Sequence, residues 1–212
     1  MTHELTQHIN AHQLRIGDVA PDFSARTTLG QRSLSEYRGQ WLIFFSHPAD
    51  FTPVCTTEFV ALAKATDQFA AIDCALLGLS VDSLYAHHAW LRAIKAAFGV
   101  TVGFPVIEDP SMAIGRAYGM IDGQAQDSAT IRSTYFIDPD GVVRAITSYP
   151  HNVGRSVEEM LRLLAALQRA HDGTVMTPEG WHPGDDLLMP VNVETAIDGV
   201  AADWFCTKVS DR

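Results

Sequence analysis

The chain has 212 residues, a net charge of −10 at neutral pH and a hydrophobic fraction of 47%. Its length suits one core domain with an appendage, and its hydrophobic fraction is enough for a sizeable core. The acidic balance argues against nucleic acid or an anionic membrane as a partner. No apolar run approaches the roughly 18 residues of a membrane span, and the first 13 residues lack the features of a signal peptide, so we expect a cytoplasmic location.

Hydrophobic periodicity and turn residues predict strands alternating with helices. Residues 1–13 form a loose leader, and residues 14–40 an opening hairpin. The expected strands are 41–45, 74–81, 104–109, 130–137 and 142–149. The expected helices follow Pro53, span 83–98, follow Asp109 and follow the capping box of Ser156 and Glu159. This order predicts an α/β fold, with a mixed central sheet and helices on both faces.

Apolar side chains at helical spacing mark the faces on which the first two helices should pack. These residues are Phe59, Leu62, Ala63, Thr66 and Phe69 in the first helix, and Leu84, Leu91, Ile94 and Phe98 in the second. Gly99 is a fitting end for the second helix, because glycine accepts the left-handed conformation that often follows a helix.

The composition of the chain changes near residue 172, where prolines and glycines become frequent and the hydrophobic periodicity is lost. We therefore predict a core domain over 14–171 and a C-terminal arm over 172–212 that lacks a core of its own. Its large apolar residues are expected to be exposed and to dock on a second subunit. They are Trp181, Val191, Trp204 and Phe205.

Cys55 follows the apolar strand and a proline-bracketed loop, which places it in the first turn of a helix. The first N–H groups of a helix have no partners within the helix, and its dipole is positive at that end. An ordinary cysteine is only about 3% thiolate at pH 7. The helix start favours the thiolate of Cys55, and we expect an arginine nearby to add to this effect. We expect a sulfur that is anionic and reachable.

The remaining cysteines and the histidines do not indicate a metal or a disulfide. Three cysteines, Cys55, Cys74 and Cys206, are too few and too scattered for a disulfide framework, and no C-x-x-C is present. Cys74 lies among apolar strand residues and is interpreted as packing. His87 and His88 are adjacent, so they face different sides of a helix and are not expected to chelate together.

The segment HPADFTPVCTTE, with Pro48, Thr52 and Cys55 in a P-x-x-x-T-x-x-C pattern, resembles the active-site loop of the peroxiredoxins. The flanking His47 and the long C-terminal arm resemble those of the one-cysteine branch of this family and its archaeal relatives. The likeness extends to the strand with Arg132 and the segment with Arg155. It implies a thioredoxin-like fold and the reduction of hydrogen peroxide and organic hydroperoxides through a sulfenic acid on Cys55. It implies no cofactor, no metal, and a homodimer that forms part of a ring of dimers in some relatives.

The resemblance also assigns roles beside the sulfur. Thr52 would donate to the thiolate or bond a peroxide oxygen, although it is equally suited to capping the helix. Pro48 would shape the pocket. Arg132 would bind the thiolate and the substrate, although an arginine on a strand is usually a solvated edge charge. Arg155 would support the site from a second layer, or lie on the surface at a helix start.

His47 and Glu58 would orient the loop, or have purely structural roles. Cys206 is a possible resolving cysteine, but a second, more distal cysteine is missing from the arm. We therefore expect an external thiol of the thioredoxin, glutaredoxin or glutathione type to reduce Cys55. Two alternative functions use the same sulfur: a cysteine hydrolase with His47 or His151 as base, and a peroxide-sensing oligomeric chaperone.

Overall fold

The computed structural model describes residues 14–121, 127–191 and 204–211. Contacts divide the chain into two compact units, Met1–Arg155 and Ser156–Arg212. The division falls before the helix that follows Ser156, whereas we predicted a boundary between residues 171 and 172. The predicted leader, 1–13, lies outside the described residues.

In the described part of the first unit, seven strands form one sheet in the order β2-β1-β5-β4-β3-β6-β7. The strands are β1 (Ser24–Thr27), β2 (Gly30–Ser33), β3 (Trp41–Ser46), β4 (Cys74–Ser80), β5 (Val106–Glu108), β6 (Arg132–Ile137) and β7 (Val143–Tyr149). The helices are α1 (Pro53–Ala71), α2 (Leu84–Phe98) and α3 (Ala113–Ala117). The predicted mixed sheet and its hairpin are confirmed.

The sheet brings the loops after β3 and β4 to one edge. Strand β3 is parallel to β4, and β4 is parallel to β5, so their carboxyl ends lie side by side. Strand β6 is antiparallel to β3, with Thr134 opposite Phe45. The first residue of β6, Arg132, therefore falls at the carboxyl end of β3, which is where the loop to α1 begins. Carboxyl ends of parallel strands are the usual place for sites in such sheets.

All six residues of β3 are buried, which explains their continuous apolar run. One part of the core is aromatic. The ring of Phe44 meets Tyr118 edge-on at 4.8 Å, and Tyr118 meets Tyr135 at 5.2 Å. The turn between β6 and β7 places Gly141 in the left-handed region, at φ 74°.

Helix α2 ends at Gly99 as predicted, and it buries the predicted face only in part. Ser83 accepts a hydrogen bond from the N–H of Ala86, and Gly99 ends the helix at φ 68°. The buried residues are His87, Trp90 and Ile94, whereas Phe98 is 54% exposed and Leu84 and Leu91 are half-buried. Of the four predicted positions, Ile94 is therefore buried, Leu84 and Leu91 are half-buried, and Phe98 was wrongly placed in the core.

The first helix follows its prediction more closely. Phe59, Leu62 and Phe69 are buried as expected, and the fourth apolar position is Ala65 rather than Ala63. Among the described residues, no helix is long and apolar enough to cross a membrane.

The second unit contains α4 (Val157–Arg169), β8 (Leu187–Leu188) and β9 (Lys208–Val209). Ser156 caps α4 by accepting from the N–H of Glu159, as predicted. Trp181, expected to be exposed, is buried in a small cluster with Ala166, Val175 and Leu187. The arm therefore does build a small core, with help from α4.

The other predicted anchors of the arm are exposed, as expected. Trp204 is 38% and Phe205 63% exposed, and Val191 is 39% exposed. The part of the arm over 192–203 lies outside the described residues.

Candidate active site

Cys55 is the third residue of α1, as predicted. Thr52 is the N-cap residue and Pro53 is the first helical residue. Proline suits that position because its missing N–H would have no partner there. The sulfur therefore lies in the first turn, near unpaired N–H groups and the positive end of the dipole. Cys55 is fully buried, however, with none of its surface exposed. In this conformation the sulfur is closed off, which contradicts our expectation that it is reachable.

Arg132 reaches Cys55 from the start of β6. Its Nη1 lies 3.2 Å from the sulfur and also donates to Glu58 Oε2 at 2.8 Å. Its Nε and Nη2 donate to the carbonyl of His151, at 3.1 and 2.8 Å. Arg132 is only 2% exposed. The alternative of a solvated edge charge is therefore wrong.

The hydrogen bonds of Arg132 leave one donor free for a ligand. A guanidinium has five N–H groups. Within the described residues, these four bonds occupy Nε, both N–H groups of Nη1 and one of Nη2. The second N–H of Nη2 is the remaining donor.

Glu58 links Arg132 to a second buried arginine. Its Oε1 accepts from the N–H and the Nε of Arg155 at 2.8 and 3.0 Å, and its Oε2 from Arg155 Nη2 at 2.9 Å. Burial opposes the ionisation of Glu58, but the hydrogen bonds and charge of Arg155, with Arg132, outweigh it and hold its pKa below the ordinary value. The carboxylate is therefore ionised and immobilised.

Arg155 is also anchored to β6. Its Nη1 donates to the carbonyl of Ser133 at 3.0 Å and to Thr134 Oγ1 at 3.1 Å. Its guanidinium lies over the ring of Phe45, 5.3 Å from the centroid. The alternative of a surface residue at a helix start is wrong, since Arg155 is 9% exposed.

The charges of this cluster balance only when the sulfur is ionised. Arg132 and Arg155 carry two positive charges and Glu58 one negative charge, so the three side chains together carry +1. A neutral thiol at Cys55 would leave that charge uncompensated in a buried site, which is costly. A thiolate would bring the sum to zero.

The Thr52 hydroxyl neither caps the helix nor donates to the thiolate. It donates to the carbonyl of Ala49 at 2.8 Å and makes no capping hydrogen bond. Because its proton is already used, the hydroxyl has only lone pairs left for a ligand. The hydroxyl can therefore accept a hydrogen bond, but it has no proton left to donate to the thiolate.

The loop before Cys55 is buried at its start and has a strained backbone near its end. Pro48 and His47 are buried. Phe51 has φ 58°, in the left-handed region, and its side chain is 60% exposed. Such a conformation at a residue other than glycine costs about 1–3 kcal/mol and persists only where neighbours hold it.

Two residues that the sequence analysis missed hold this loop. The Asp50 carboxylate lies 2.9 Å from Nε2 of His47 and 2.8 Å from Nδ1 of His87 on α2. The burial of His87 could have been inferred from its position three residues before Trp90, on the same face of the helix. The sequence comparison with the adjacent His88 gave no indication of its distant partner, Asp50.

The other two cysteines have separate environments. Burial raises the pKa of Cys74 to about 12, so its thiol is neutral, which supports the packing interpretation. Cys206 is exposed in the short 3-10 turn Trp204–Cys206 of the second unit. The three cysteines are free thiols.

Comparison with known proteins identifies the class to which this site belongs. Residues 16–146 match the model of the AhpC/TSA family. This match covers more than half of the chain, which therefore belongs to that family.

Relatives and solved structures narrow the class. A peroxiredoxin of Thermoplasma volcanium is 43% identical over 175 residues, 82% of this chain and 85% of the relative. A peroxiredoxin of Aquifex aeolicus is 46% identical over 170 residues, 80% of this chain and 77% of the relative. The structure of a yeast mitochondrial 1-Cys peroxiredoxin has a TM-score of 0.80 at 40% identity, covering 87% of this chain and 91% of that one. The structure of peroxiredoxin 6 of Arenicola marina has a TM-score of 0.79 at 32% identity, covering 86% of this chain and 87% of that one.

These likenesses confirm the thioredoxin-like fold predicted from the sequence. They also confirm the predicted function: the chain is a peroxiredoxin, a thiol-dependent peroxidase that takes a peroxide as substrate and a thiol as reductant. The cysteine hydrolase is not favoured. Within the described residues, neither His47 nor His151 places a ring nitrogen in hydrogen-bond contact with Cys55.

Proposed function

We propose that Cys55 is the residue that reacts with the peroxide, and that Arg132, Thr52 and Pro48 form its pocket. The observation that carries this proposal is the 3.2 Å contact between Arg132 Nη1 and the Cys55 sulfur, in a buried cluster whose charges balance only with a thiolate.

In the proposed reaction, the Cys55 thiolate attacks one oxygen of the peroxide in line with the O–O bond. The S–O bond forms as the O–O bond breaks, so the sulfur is oxidised to a sulfenic acid and the peroxide is reduced. The attacked oxygen keeps its hydrogen in the sulfenic acid, and the leaving hydroxide or alkoxide takes one proton from water and departs as water or an alcohol. No step requires a metal or an organic cofactor.

The neighbouring residues have distinct tasks in this scheme. Thr52 accepts a hydrogen bond from the peroxide O–H. The free N–H of Arg132 donates to the oxygen that gains negative charge. One such donor is worth about 2.7–4 kcal/mol of transition-state stabilisation. Glu58 and Arg155 are positioning residues, because they hold Arg132 without touching the sulfur. Pro48, which lacks an N–H, closes the pocket.

The closed pocket limits the substrate. Since Cys55 is fully buried, a peroxide reaches it only when the side chains around the loop shift. Hydrogen peroxide requires the smallest movement, so we expect it to react faster than bulky organic hydroperoxides.

We further propose that an external thiol completes the cycle. Its thiolate attacks the sulfenic sulfur and displaces hydroxide, which leaves as water, to form a mixed disulfide. A second donor thiol then attacks the donor sulfur of that disulfide. This forms a disulfide between the two donors and releases Cys55 as a thiolate. The yeast structure that resembles this chain is described with resolution through glutathione and thioredoxin systems. We expect a reductant of the thioredoxin, glutaredoxin or glutathione type here, and no main role for Cys206.

The experiment compares wild type with Cys55→Ser, Cys206→Ser and Cys74→Ser. Single-turnover peroxide consumption is measured first, followed by steady-state turnover with each thiol donor. Loss of single-turnover reduction in Cys55→Ser alone would support the proposal, and its retention would overturn it. A covalent dimer that forms at the catalytic rate on a non-reducing gel and is lost in Cys206→Ser would make Cys206 the resolving residue instead.

The arm over 172–212 is proposed to dock on a second copy of the chain, so that the protein is at least a homodimer. Support comes from the exposure of Trp204 and Phe205, whose rings contact each other edge-on at 5.9 Å. Native mass spectrometry of a Trp204→Ser, Phe205→Ser variant tests it, with dissociation expected and an unchanged oligomer contradicting it. The cytoplasmic location stays a prediction.

A further inference from the structure

A buried cluster of two histidines and one aspartate lies beside the proposed active site. It consists of His47, Asp50 and His87, which are 0%, 7% and 0% exposed. His47 and Asp50 belong to the loop before α1, whereas His87 comes from α2. Their side chains meet at 2.9 and 2.8 Å through the two carboxylate oxygens of Asp50.

The contacts of His87 determine how many protons its ring carries. Its Nε2 lies 3.2 Å from the carbonyl oxygen of Ile107, and its Nδ1 lies 2.8 Å from Asp50 Oδ2. A carbonyl oxygen and a carboxylate oxygen are both acceptors. Both hydrogen bonds can form at once only when both ring nitrogens carry a proton.

The ring of His47, in contrast, is neutral and carries one proton. Burial lowers its pKa, despite the opposing hydrogen bond and charge of Asp50. The neutral ring has one proton, which must be on Nε2 to donate to Asp50. Its Nδ1 is then a bare lone pair, and it has no hydrogen-bond partner among the described residues.

Asp50 is the ionised centre of the cluster. Burial opposes its ionisation, but hydrogen bonds from His47 and His87 outweigh it and lower its pKa. The backbone N–H of Asp50 also donates to Asp82 Oδ2 at 3.0 Å, and Ser80 holds that carboxylate at 2.8 Å. Both the side chain and the backbone of Asp50 are thus tied to elements outside the loop.

The hydrogen bonds of Asp50 restrain the residues next to the Cys55 sulfur. Asp50 directly precedes Phe51, whose left-handed φ needs support, and Phe51 precedes Thr52, the N-cap residue of α1. The backbone of His47 is also fixed, because its carbonyl accepts from Thr130 Oγ1 at 2.7 Å. Thr130 lies two residues before Arg132, so the loop and the arginine share this connection.

The ring of His47 extends the connection to α1. It packs at 4.8 Å against Phe59, the neighbour of Glu58, and stacks at 5.2 Å on Trp90. Trp90 in turn donates to Thr56, the residue after Cys55, at 3.2 Å. A change at Asp50 or His87 would therefore disturb the placement of Cys55 relative to Arg132.

We propose that Asp50 and His87 are positioning residues for the peroxidase reaction, and that an Asp50 carboxylate paired with a His87 imidazolium holds the loop that places Cys55 and Thr52 against Arg132. This inference rests on the proposed role of Cys55. A displacement of about 1 Å from the reactive geometry is enough to cost about 100-fold in rate.

The test uses His87→Gln and Asp50→Asn, with His88→Gln as the matched control on the same helix, because His88 is exposed. Glutamine keeps an N–H donor but bonds only one of the two acceptors and carries no charge. Two rate constants are measured for each variant: oxidation of Cys55 by hydrogen peroxide and alkylation of Cys55 by iodoacetamide. Peroxide reduction needs the arginine and threonine in place, whereas alkylation needs only an ionised, accessible sulfur.

We expect the peroxide rate constant to fall at least about 10-fold in both cluster variants, with circular dichroism unchanged and alkylation equal or faster. His88→Gln should stay within about twofold of wild type in both rates. Equal peroxide rates in wild type and His87→Gln would overturn the inference, as would a parallel fall of both rates with loss of fold.

A second measurement does not depend on the folding of any variant. Nitrogen-15 NMR of the histidine rings in the wild-type protein should show two protonated nitrogens on His87 and one on His47. An unprotonated Nδ1 on His87, or stoichiometric zinc bound at these three side chains, would overturn the proposal. Separate outcomes refute the two proposals. Peroxide reduction by Cys55→Ser would refute the role of Cys55. If Cys55→Ser is inactive but His87→Gln and Asp50→Asn reduce peroxide at the wild-type rate, only the positioning role is refuted.

Discussion

Glu58→Gln tests how strongly the buried charge cluster stabilises the fold. Glu58 is 3% exposed and accepts four hydrogen bonds, at 2.8 to 3.0 Å, from Arg132 and Arg155. Glutamine removes the negative charge and turns an NH2 group toward one of the guanidinium groups. Removing one partner of a buried ion pair costs about 3–5 kcal/mol. We expect a loss of that size in the free energy of unfolding at pH 7.

The contribution of Glu58 to the free energy of unfolding should depend on pH in a definite direction. The pKa of Glu58 is below its ordinary value of 4.5 in the folded protein. Its stabilising contribution is therefore complete above that ordinary value and is lost as the pH falls through the folded pKa. The difference between wild type and Glu58→Gln should be largest at neutral pH and shrink in acid.

Urea unfolding followed by circular dichroism measures this difference at pH 7 and at several acidic values. Asp67→Asn is the matched control, since Asp67 is an exposed carboxylate on the same helix, and it should change stability by less than about 0.5 kcal/mol. The reasoning is refuted if the two variants are equally stable at pH 7, or if the difference is undiminished in acid.

Three further predictions follow from named contacts. Arg132→Gln should lower the second-order rate constant of Cys55 with hydrogen peroxide about 100- to 1,000-fold in stopped-flow measurements, and an unchanged rate would contradict the proposed donor. Burial raises the pKa of Cys74 to about 12, so iodoacetamide at pH 8 should leave it unmodified in the native protein and modify it in urea; mass spectrometry showing native labelling at the rate of Cys55 would contradict this. Gly141→Ala should cost about 1–2 kcal/mol, because Gly141 has φ 74° and its Cβ would meet the Arg38 guanidinium; a melting temperature equal to wild type would show that the turn accepts alanine.

Local patterns in the sequence predicted the elements of this fold well. The unbroken apolar run of β3 reflects burial on both faces, and Gly99 and Ser156 mark helix ends because their conformation or side chain satisfies the terminal backbone groups. Cys55 was placed at the start of α1 for the same reason. Each of these inferences depends on neighbours within a few positions along the chain.

Contacts between distant residues were harder to predict. Arg132 and Cys55 are 77 positions apart and meet because β6 runs antiparallel to β3. The position of Arg132 on a strand favoured a solvated arginine, and only the family resemblance indicated its functional role. The pairing of Asp50 with His87, 37 positions away, left no periodic signal and was missed.

Burial in the irregular parts of the chain was also misjudged. Trp181 was predicted to be exposed because the arm has no periodicity, yet the cluster around Ala166 and Leu187 buries it. Phe98 fits the helical spacing of α2 and is nevertheless 54% exposed, whereas the polar ring of His87 occupies the buried face. Hydrophobic spacing indicates which side of a helix packs, but not where a polar network replaces an apolar contact.

The central claim is that the sulfur of Cys55 is ionised beside Arg132 when the protein is at neutral pH. The most direct measurement is the ultraviolet absorbance of the thiolate at pH 7, with Cys55→Ser as the blank. We expect the wild-type protein to show close to one thiolate per chain that the blank lacks. A difference spectrum without thiolate absorbance would contradict the account.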